Sequence, residues 1–337
     1  PDGGRVGLSH NPGGGIDLAL GVLDLTSCEI TEWVPPGPYI SWGDWRPDGL
    51  QASAIRELGS GRSEAFLIEP GSHPAPVLAG AHAVDKLFWS GDGRLLAVTD
   101  HESEFAGLAE VDPAAPERPL RWLHHPDHDL VAVAPAPGGA TAAVAIRAGF
   151  YDHLLLLDLG DGSVIERFDL PPGVVYSDNV DGAAGQLAWR GDGRLLVAWE
   201  TPTQPSQVYE LRAGSPPVRL TSAAAPLPAL VDPEPAAYRS FDGLEIPALH
   251  YRVDSSPRPT VMWIHGGPES QFTANFSPPV QLLCARGFNV LAPNVRGSSG
   301  YGVTYLHLDD REKRWDSVRD ACEGARRLLM EGGATAV

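Results

Sequence analysis

Residues 261–271 read VMWIHGGPESQ and residues 288–302 read FNVLAPNVRGSSGYG, and these two stretches decide the fold of the chain's final part. Residues 260–264 are apolar and end in turn residues, which is typical of a strand buried on both faces of a parallel sheet. Residues 288–293 form a second run of this kind, and prolines can begin a helix over residues 278–287 between the two. The order strand, helix, strand predicts a parallel α/β unit.

The residues His265, Gly266, Gly267 and Pro268 follow the first strand directly. Two glycines at the carboxyl end of a strand let backbone N–H groups turn toward an open cleft, which suits them to hold an oxyanion. Open α/β sheets bind their ligands at this end of the strands. We therefore predict Gly266 and Gly267 as oxyanion donors, with a tight turn of no chemical role as the plainer alternative.

The two stretches together resemble the start of the catalytic domain of the prolyl oligopeptidase family of serine peptidases, most closely its acylaminoacyl-peptidase-like branch. In that branch an HGGP turn supplies part of the oxyanion hole, and an N-x-RGS-x-GYG segment closes the next strand. The resemblance implies a triad of Ser, Asp and His, in that order along the chain. The G-x-S-x-G nucleophile elbow is expected after Val337, so the whole triad would lie outside this chain and residues 1–337 alone would be inactive.

The resemblance also implies roles for single residues. His265 is expected to shape the oxyanion turn as a scaffold, because the family's catalytic His comes near the far end of the domain. Arg296 could bind a substrate carboxylate or carbonyl, although tying the Gly-rich turn to neighbouring carboxylates is the favoured role. Ser298 and Ser299 lack an elbow frame, so neither is expected to be a nucleophile. Asp320 matches an acid that the family often carries, and its expected role is structural.

The first 235 residues contain an internal repeat. The segments WSGDGRLLAV and WRGDGRLLVA, at residues 89–98 and 189–198, share an aromatic residue, an Asp-Gly turn and an apolar run. Together with weaker copies of the same segment, the turns lie at positions 2, 48, 92, 138 and 192. They are separated by 46, 44, 46 and 54 residues. A period of this length with several short strands is typical of β-propeller blades, and a β-sandwich with coincidental turns is the alternative.

We therefore predict an all-β propeller over residues 1–235, incomplete at its N-terminus, followed by the N-terminal part of an α/β-hydrolase domain over residues 236–337. About five blades are visible, and the family's propellers commonly have seven, which implies about two more upstream. The proline-rich residues 222–238 read as a linker. Residues 238–253 read as a hairpin that turns at Asp242-Gly243 and opens the hydrolase part.

A long helix is predicted near the end of the chain, over residues 311–330. Apolar residues recur along it at spacings of 3, 4, 3 and 4, which is typical of an amphipathic helix with one apolar face. Gly332-Gly333 ends the pattern. The residues of this apolar face are Trp315, Val318, Cys322, Ala325 and Leu329.

The formal net charge of −18 argues against nucleic-acid partners and against an anionic membrane surface. Residues 240–337 hold 11 acidic and 10 basic side chains, so nearly all of the excess negative charge lies in the predicted propeller. A solvated surface is the simple interpretation. The alternative is an acidic interior that attracts short peptides with a free amino terminus or basic side chains.

The three cysteines, Cys28, Cys284 and Cys322, have no paired spacing, so neither a disulfide framework nor a zinc site is indicated and the cytoplasm is the expected compartment. The run HHPDHD at residues 124–129 fits no closed set of metal ligands. We predict no metal and no cofactor, and no membrane span because prolines and glycines interrupt the most apolar run. The sequence leaves open whether the protein forms a homo-oligomer.

These features predict a serine peptidase of the prolyl oligopeptidase type that hydrolyses short peptides. An acylaminoacyl-peptidase, a dipeptidyl-peptidase or an oligopeptidase would each fit the sequence. Two other classes stay open. One is a non-catalytic propeller that serves as an interaction module or pseudoenzyme. The other is a carboxylesterase or lipase, in which HGG turns also occur.

Overall fold

The computed structural model describes residues 3–14, 17–59, 61–78, 82–116, 118–176, 186–222, 230–267 and 269–337. The chain packs into two compact units. The first comprises residues 1–130, 135–142 and 157–165, and the second comprises residues 131–134, 143–156 and 166–337. The boundary near Pro235 between a propeller and a hydrolase part stays a prediction.

Five antiparallel sheets follow one another along the chain, and we number them blade one to blade five. Blade one contains β1 (Arg5–His10), β2 (Asp17–Asp24) and β3 (Ile30–Pro38). Blade two contains β4 (Ile40–Trp45), β5 (Ala52–Glu57), β6 (Ser63–Ile68) and β7 (Ala75–Leu78). Blade three contains β8 (Val84–Trp89), β9 (Leu95–Thr99), β10 (Gly107–Val111) and β11 (Arg121–His124).

Blade four contains β12 (Asp129–Pro135), β13 (Thr141–Ala148), β14 (Tyr151–Asp158) and β15 (Val164–Arg167). Blade five contains β16 (Val174–Val175), β17 (Leu187–Trp189), β18 (Leu195–Thr201), β19 (Gln204–Leu211) and β20 (Val218–Arg219). In blade five, β16 and β17 both pair with β18. The predicted repeat of short strands is therefore confirmed as a series of propeller blades.

The repeat turns have the same geometry in blades two to five. Gly49, Gly93, Gly139 and Gly193 each have a positive φ, and the N–H of each donates to the carbonyl three residues earlier at 2.8–3.0 Å. Glycine adopts this φ without a Cβ penalty, which explains why the turn recurs at these positions. The turn predicted at position 2 lies outside the described residues.

The strands that follow these turns form the blade cores. Trp89 pairs with Leu95 in blade three, and Trp189 pairs with Leu195 in blade five. Both leucines are buried, and every residue of β9 is buried. The indole N–H of Trp189 also donates to the Ala134 carbonyl at 2.9 Å, which satisfies this donor inside the protein.

The last sheet is mixed and has the order β21-β22-β24-β23-β25. Its strands are β21 (Glu234–Arg239), β22 (Glu245–Tyr251), β23 (Arg258–Met262), β24 (Asn289–Pro293) and β25 (Ala334–Ala336). The helices of this part are α1 (Pro278–Ala285), α2 (Val303–Leu306) and α3 (Arg314–Met330), and short 3₁₀ turns span His307–Asp309 and Arg311–Lys313. Because β23 and β24 are parallel and α1 connects them, the predicted α/β unit is confirmed.

Strand β23 is less buried than its sequence predicts. Val261 and Trp263 pack partly against the cluster around α1, but Ile264 on the alternate face is 44% exposed. Neighbouring residues of a strand point to opposite faces of its sheet. The described residues therefore cover one face of β23 well and leave the other face partly open near its carboxyl end.

The apolar face of α3 is a second difference from the sequence prediction. Trp315 is 63% exposed and Val318 is 49% exposed, whereas the buried residues of the helix are Asp320 and Gly324. A Cβ on Gly324 would approach the Tyr238 ring to 2.7 Å, so the helix needs glycine here to pack on β21. The buried face of α3 is thus set by an ion pair and a close contact.

No helix among the described residues combines the length and the apolar character needed to cross a membrane.

Candidate active site

The turn predicted to hold an oxyanion, which we define as residues 265–267 and call the oxyanion turn, begins three residues after β23 ends. Gly267 has φ +134°, and a Cβ there would lie 2.9 Å from the Glu269 nitrogen, so the turn requires glycine at this position. A Cβ on Gly266 would have no atom within 4 Å. Both glycines are exposed, which leaves room for a ligand beside their backbone. Pro268 lies outside the described residues.

His265 connects the oxyanion turn to the turn that follows β24. Its Nε2 lies 2.8 Å from Ser298 Oγ, and its Nδ1 lies 2.8 Å from the Gly266 carbonyl oxygen. The Ser298 hydroxyl also lies 2.6 Å from the Val295 carbonyl, so it can donate its single proton to that carbonyl or to His265 Nε2, depending on which ring nitrogen of His265 carries the proton. Ser298 is fully buried, and the imidazole is therefore anchored to the interior of the domain.

The Gly-rich turn, which we define as residues 297–302, needs glycine because side chains crowd it. Gly297 and Gly300 have positive φ, and a Cβ on either would lie under 2.5 Å from the side chain of Asp309 or Gln271. The Ser299 N–H donates to the Ser270 carbonyl at 3.0 Å. The two turns that the sequence analysis singled out are thus in direct contact.

Asn294 holds the same two segments together, and the sequence analysis did not assign it a role. Its side chain accepts from the Phe272 N–H at 2.7 Å and donates to the Phe272 carbonyl at 3.0 Å. It also donates to the Tyr301 hydroxyl at 2.7 Å. Burial raises the pKa of Tyr301 to about 12, so this phenol stays neutral over the physiological range. The Asn of the N-x-RGS-x-GYG pattern was the signal that could have identified it.

Arg296 is buried among carboxylates. It donates from Nε and Nη2 to the two oxygens of Asp320 at 2.8 Å each. Its Nη1 lies 2.8 Å from an Asp242 oxygen, and its Nη2 donates to the other at 3.0 Å. This geometry ties the Gly-rich turn to α3 and to the β21–β22 hairpin. Substrate binding by Arg296 stays a prediction, and every terminal nitrogen already has a carboxylate partner.

Further contacts fix this network. The Ser240 hydroxyl donates to Asp320, and the ring of Phe241 lies between the guanidinium groups of Arg296 and Arg319, at 4.9 and 3.5 Å from its centroid. Hydrogen bonds from Arg296 hold the pKa of the Asp242 carboxyl below its ordinary value of 3.8. Ser240, Phe241 and Asp242 lie more than fifty residues from Arg296 in sequence, and Asp320 lies 24 residues away, so spacing alone could not identify these partners.

The side chains of the HHPDHD run, residues 124–129, contact different partners. The ring of His125 stacks on Trp122 at 4.5 Å, and its Nε2 lies 2.6 Å from Ser103 Oγ. His128 contacts Phe105 edge-on, and Asp129 accepts the Ala106 N–H at 2.9 Å. The contacts of His125 and His128 are with residues of blade three, and that of Asp129 joins the start of β12 in blade four to the loop before β10 in blade three.

The site-bearing part of the chain matches a known family. Residues 274–336 match the prolyl oligopeptidase family, and the match begins seven residues after the oxyanion turn. This part of the chain is therefore similar to the prolyl oligopeptidase family. Curated relatives of the family include acylamino-acid-releasing enzyme 2 of Oryza sativa subsp. japonica, which is 36% identical over 80 residues. The acylamino-acid-releasing enzyme of Sus scrofa is 32% identical over 107 residues.

The matches to these family members are partial. They cover 24% of this chain and 10% of the rice protein, and 30% of this chain and 14% of the pig protein. Among solved structures, puromycin hydrolase superposes with a TM-score of 0.81 at 21% identity, over 98% of this chain and 55% of that chain. Pyrococcus horikoshii acylaminoacyl peptidase superposes with a TM-score of 0.67 at 17% identity, over 94% and 50%. These structures support the propeller and hydrolase fold.

Proposed function

We propose that the protein is a serine peptidase of the prolyl oligopeptidase type that hydrolyses short peptides. The observation that carries the proposal is the exposed pair of glycines after β23, fixed through His265 to the buried Ser298 of the Gly-rich turn. Similarity to the prolyl oligopeptidase family suggests the reaction class, and the fold gives these glycines their place at a carboxyl end of the sheet. The names of the acylamino-acid-releasing relatives suggest acylated amino acids as one substrate group.

The proposed chemistry is acyl transfer. A serine attacks the peptide carbonyl, a histidine acts first as base and then as acid, and an aspartate orients the histidine. This sequence contains no G-x-S-x-G frame, so this triad is not assigned to any of its residues. Residues 265–267 supply the second half of the site: backbone N–H groups that meet the negative charge on the tetrahedral intermediate. In other enzymes the removal of one such donor raises the activation barrier by about 2.7–4 kcal/mol.

His265 is assigned a positioning role in this proposal. Its ring bonds to the carbonyl of Gly266 and to Ser298, so it fixes the peptide planes whose N–H groups face the reacting oxygen. Preorganised donors need no reorientation as the charge develops, which is the source of their effect. Arg296 supports the site indirectly, because it holds the Gly-rich turn, to which His265 bonds, against α3.

The experiment uses the native full-length protein and three substrates: an acetylated peptide anilide, a free-amino dipeptide anilide and a short ester. We expect hydrolysis of at least one peptide anilide and loss of that activity after treatment with a fluorophosphonate. Hydrolysis of the ester alone would favour the carboxylesterase class, and failure with all three would favour a non-catalytic module. Activity removed by a chelator and kept after the fluorophosphonate would contradict serine catalysis.

Two further parts of the proposal need separate measurements. The cytoplasm is the proposed compartment because the three cysteines are free and two of them are exposed. Fractionation of the source cells tests this assignment. A homo-oligomer is tested by light scattering of the native protein.

A further inference from the structure

Blades four and five both form hydrogen bonds with residues 274–281, a segment that ends in the first half of α1. All of these residues belong to the second compact unit. The carbonyl of Phe150, in the turn between β13 and β14, accepts the Ala274 N–H at 2.9 Å. The side-chain amide of Gln281 donates to the Pro202 carbonyl at 2.9 Å, in the turn between β18 and β19. Gln281 is fully buried, so these bonds form inside the protein.

Glu200 adds an ionisable group to this contact. It lies on β18 at an irregularity in the pairing with β19, and it is 5% exposed. The backbone N–H of Phe276 donates to its carboxyl group. No described residue forms an ion pair with it. A buried carboxyl with one backbone donor is stable when neutral and unfavourable when charged.

Few charges surround Glu200. Residues 274–281 and strand β16 contain no ionisable side chain, and β18 contains only Glu200 itself. The charged neighbours on other strands are already paired: Glu210 with two arginines, and Asp152 with Arg147. The ionisable side chains of β19 and of the adjoining ends of β13 and β14 are Tyr209, Glu210, Arg147, Tyr151, Asp152 and His153.

We propose that Glu200 makes the contact between the β18–β19 hairpin and residues 274–281 sensitive to protons. With a neutral carboxyl group the hairpin stays bound, and ionisation loosens it. The segment lies close in sequence to the oxyanion turn, and Phe272 just before it is held by Asn294.

The direction of the effect follows from the pKa. Burial raises the pKa of Glu200 from its ordinary 4.5 to about 7, and the Phe276 N–H offsets part of that rise. A raised pKa in the bound form means that its stabilising effect is complete below pH 4.5 and is lost as the pH rises through about 7. The equilibrium constant for opening should rise by at least about tenfold between pH 5 and pH 8.

Hydrogen exchange of the native protein tests this proposal without any measurement of peptidase activity. The amides of Ala274 and Phe276 are the probes, because both donate across the contact. Wild type is compared with Glu200→Gln at each pH, which cancels the intrinsic effect of pH on exchange. We expect wild-type protection to fall relative to the variant between pH 5 and pH 8, because glutamine keeps the acceptor but cannot ionise.

The matched control is Glu210→Gln, which removes an ion-paired glutamate on the neighbouring strand and should keep the wild-type pH response. Glu200→Ala removes the acceptor, so exchange at Phe276 should be fast at both pH values. Equal pH dependence in wild type and Glu200→Gln would overturn the proposal. If Glu200→Gln fails to fold, hydrogen exchange of the wild type alone is measured and corrected for the intrinsic exchange rates of unstructured peptides. An opening equilibrium constant that does not change from pH 5 to pH 8 would then overturn the proposal.

Discussion

Arg296 and Asp320 form a buried two-pronged ion pair, with the guanidinium donating to both carboxylate oxygens at 2.8 Å. The Asp320 side chain is 0% exposed and that of Arg296 is 6% exposed. Asp320 also accepts the backbone N–H of Arg296 at 3.1 Å. One carboxylate on α3 therefore fixes both the side chain and the backbone of the residue that precedes the Gly-rich turn.

Removal of this carboxylate should destabilise the protein strongly. Asp320→Asn leaves a buried guanidinium without its main counter-charge, and breaking a buried pair costs about 3–5 kcal/mol. Asp242→Asn is the control, because Asp242 pairs with the same arginine but its side chain is 40% exposed. Urea unfolding of both variants should show the larger loss for Asp320→Asn. Equal losses would contradict a dominant role for the buried partner.

Gly267 should be required for turnover by the full-length protein. Gly267→Ala places a Cβ at φ +134° and 2.9 Å from the Glu269 nitrogen, so the backbone of the oxyanion turn must move. We expect kcat to fall by about a hundredfold, because a misplaced oxyanion donor loses its stabilising effect. Gly243→Ala is the control, since Gly243 also has positive φ but lies in the β21–β22 turn with open space around it. It should lower the Tm and leave kcat near wild type.

Adjacent serines should differ in their effect on catalysis. Ser298→Ala removes the hydroxyl that bonds to His265 Nε2, and we expect kcat to fall by about tenfold to a hundredfold, because small shifts of a catalytic group are costly. KM should change little. Ser299 has no side-chain hydrogen bond in the described structure, so Ser299→Ala should keep both constants. A rise in KM alone for Ser298→Ala would indicate a binding role.

Asp85 should make the stability of the first unit depend on pH. Burial by surrounding atoms, with the charges of Asp100, Asp129 and Glu57, raises the pKa of Asp85 from 3.8 to about 7. Its side chain is nevertheless accessible to solvent, and solvent screening weakens the effect. Because the pKa is raised in the folded state, its contribution is complete below pH 3.8 and is lost as the pH rises through about 7.

The measurement for Asp85 is the Tm at pH 4 and at pH 8. We expect Asp85→Asn to raise the Tm at pH 8 relative to wild type, and to change it little at pH 4. Asp127→Asn, in an exposed loop of the same unit, is the control and should show no such difference. A variant whose Tm shifts equally at both pH values would show that charge repulsion at Asp85 is not the cause.

The sequence predicted those features that depend on neighbouring residues. The turns at positions 48, 92, 138 and 192 lie where the repeat placed them, and α1 and β24 agree with their predicted bounds within two residues. The prediction was less accurate for α3, whose apolar residues Trp315 and Val318 are exposed. The periodicity correctly indicated a helix, but it cannot say which face is buried when a buried ion pair decides the packing.

The amino-acid sequence by itself determined the series of blades, the glycine turns and the strand-helix-strand order, because each depends on backbone preferences within a few residues. Only the tertiary structure decided which polar groups meet. His265 bonds to Ser298, Arg296 to Asp242, and Gln281 to Pro202, across 33, 54 and 79 residues. These pairs form because folding buries polar groups that must then find partners, and that requirement selects them by position in space.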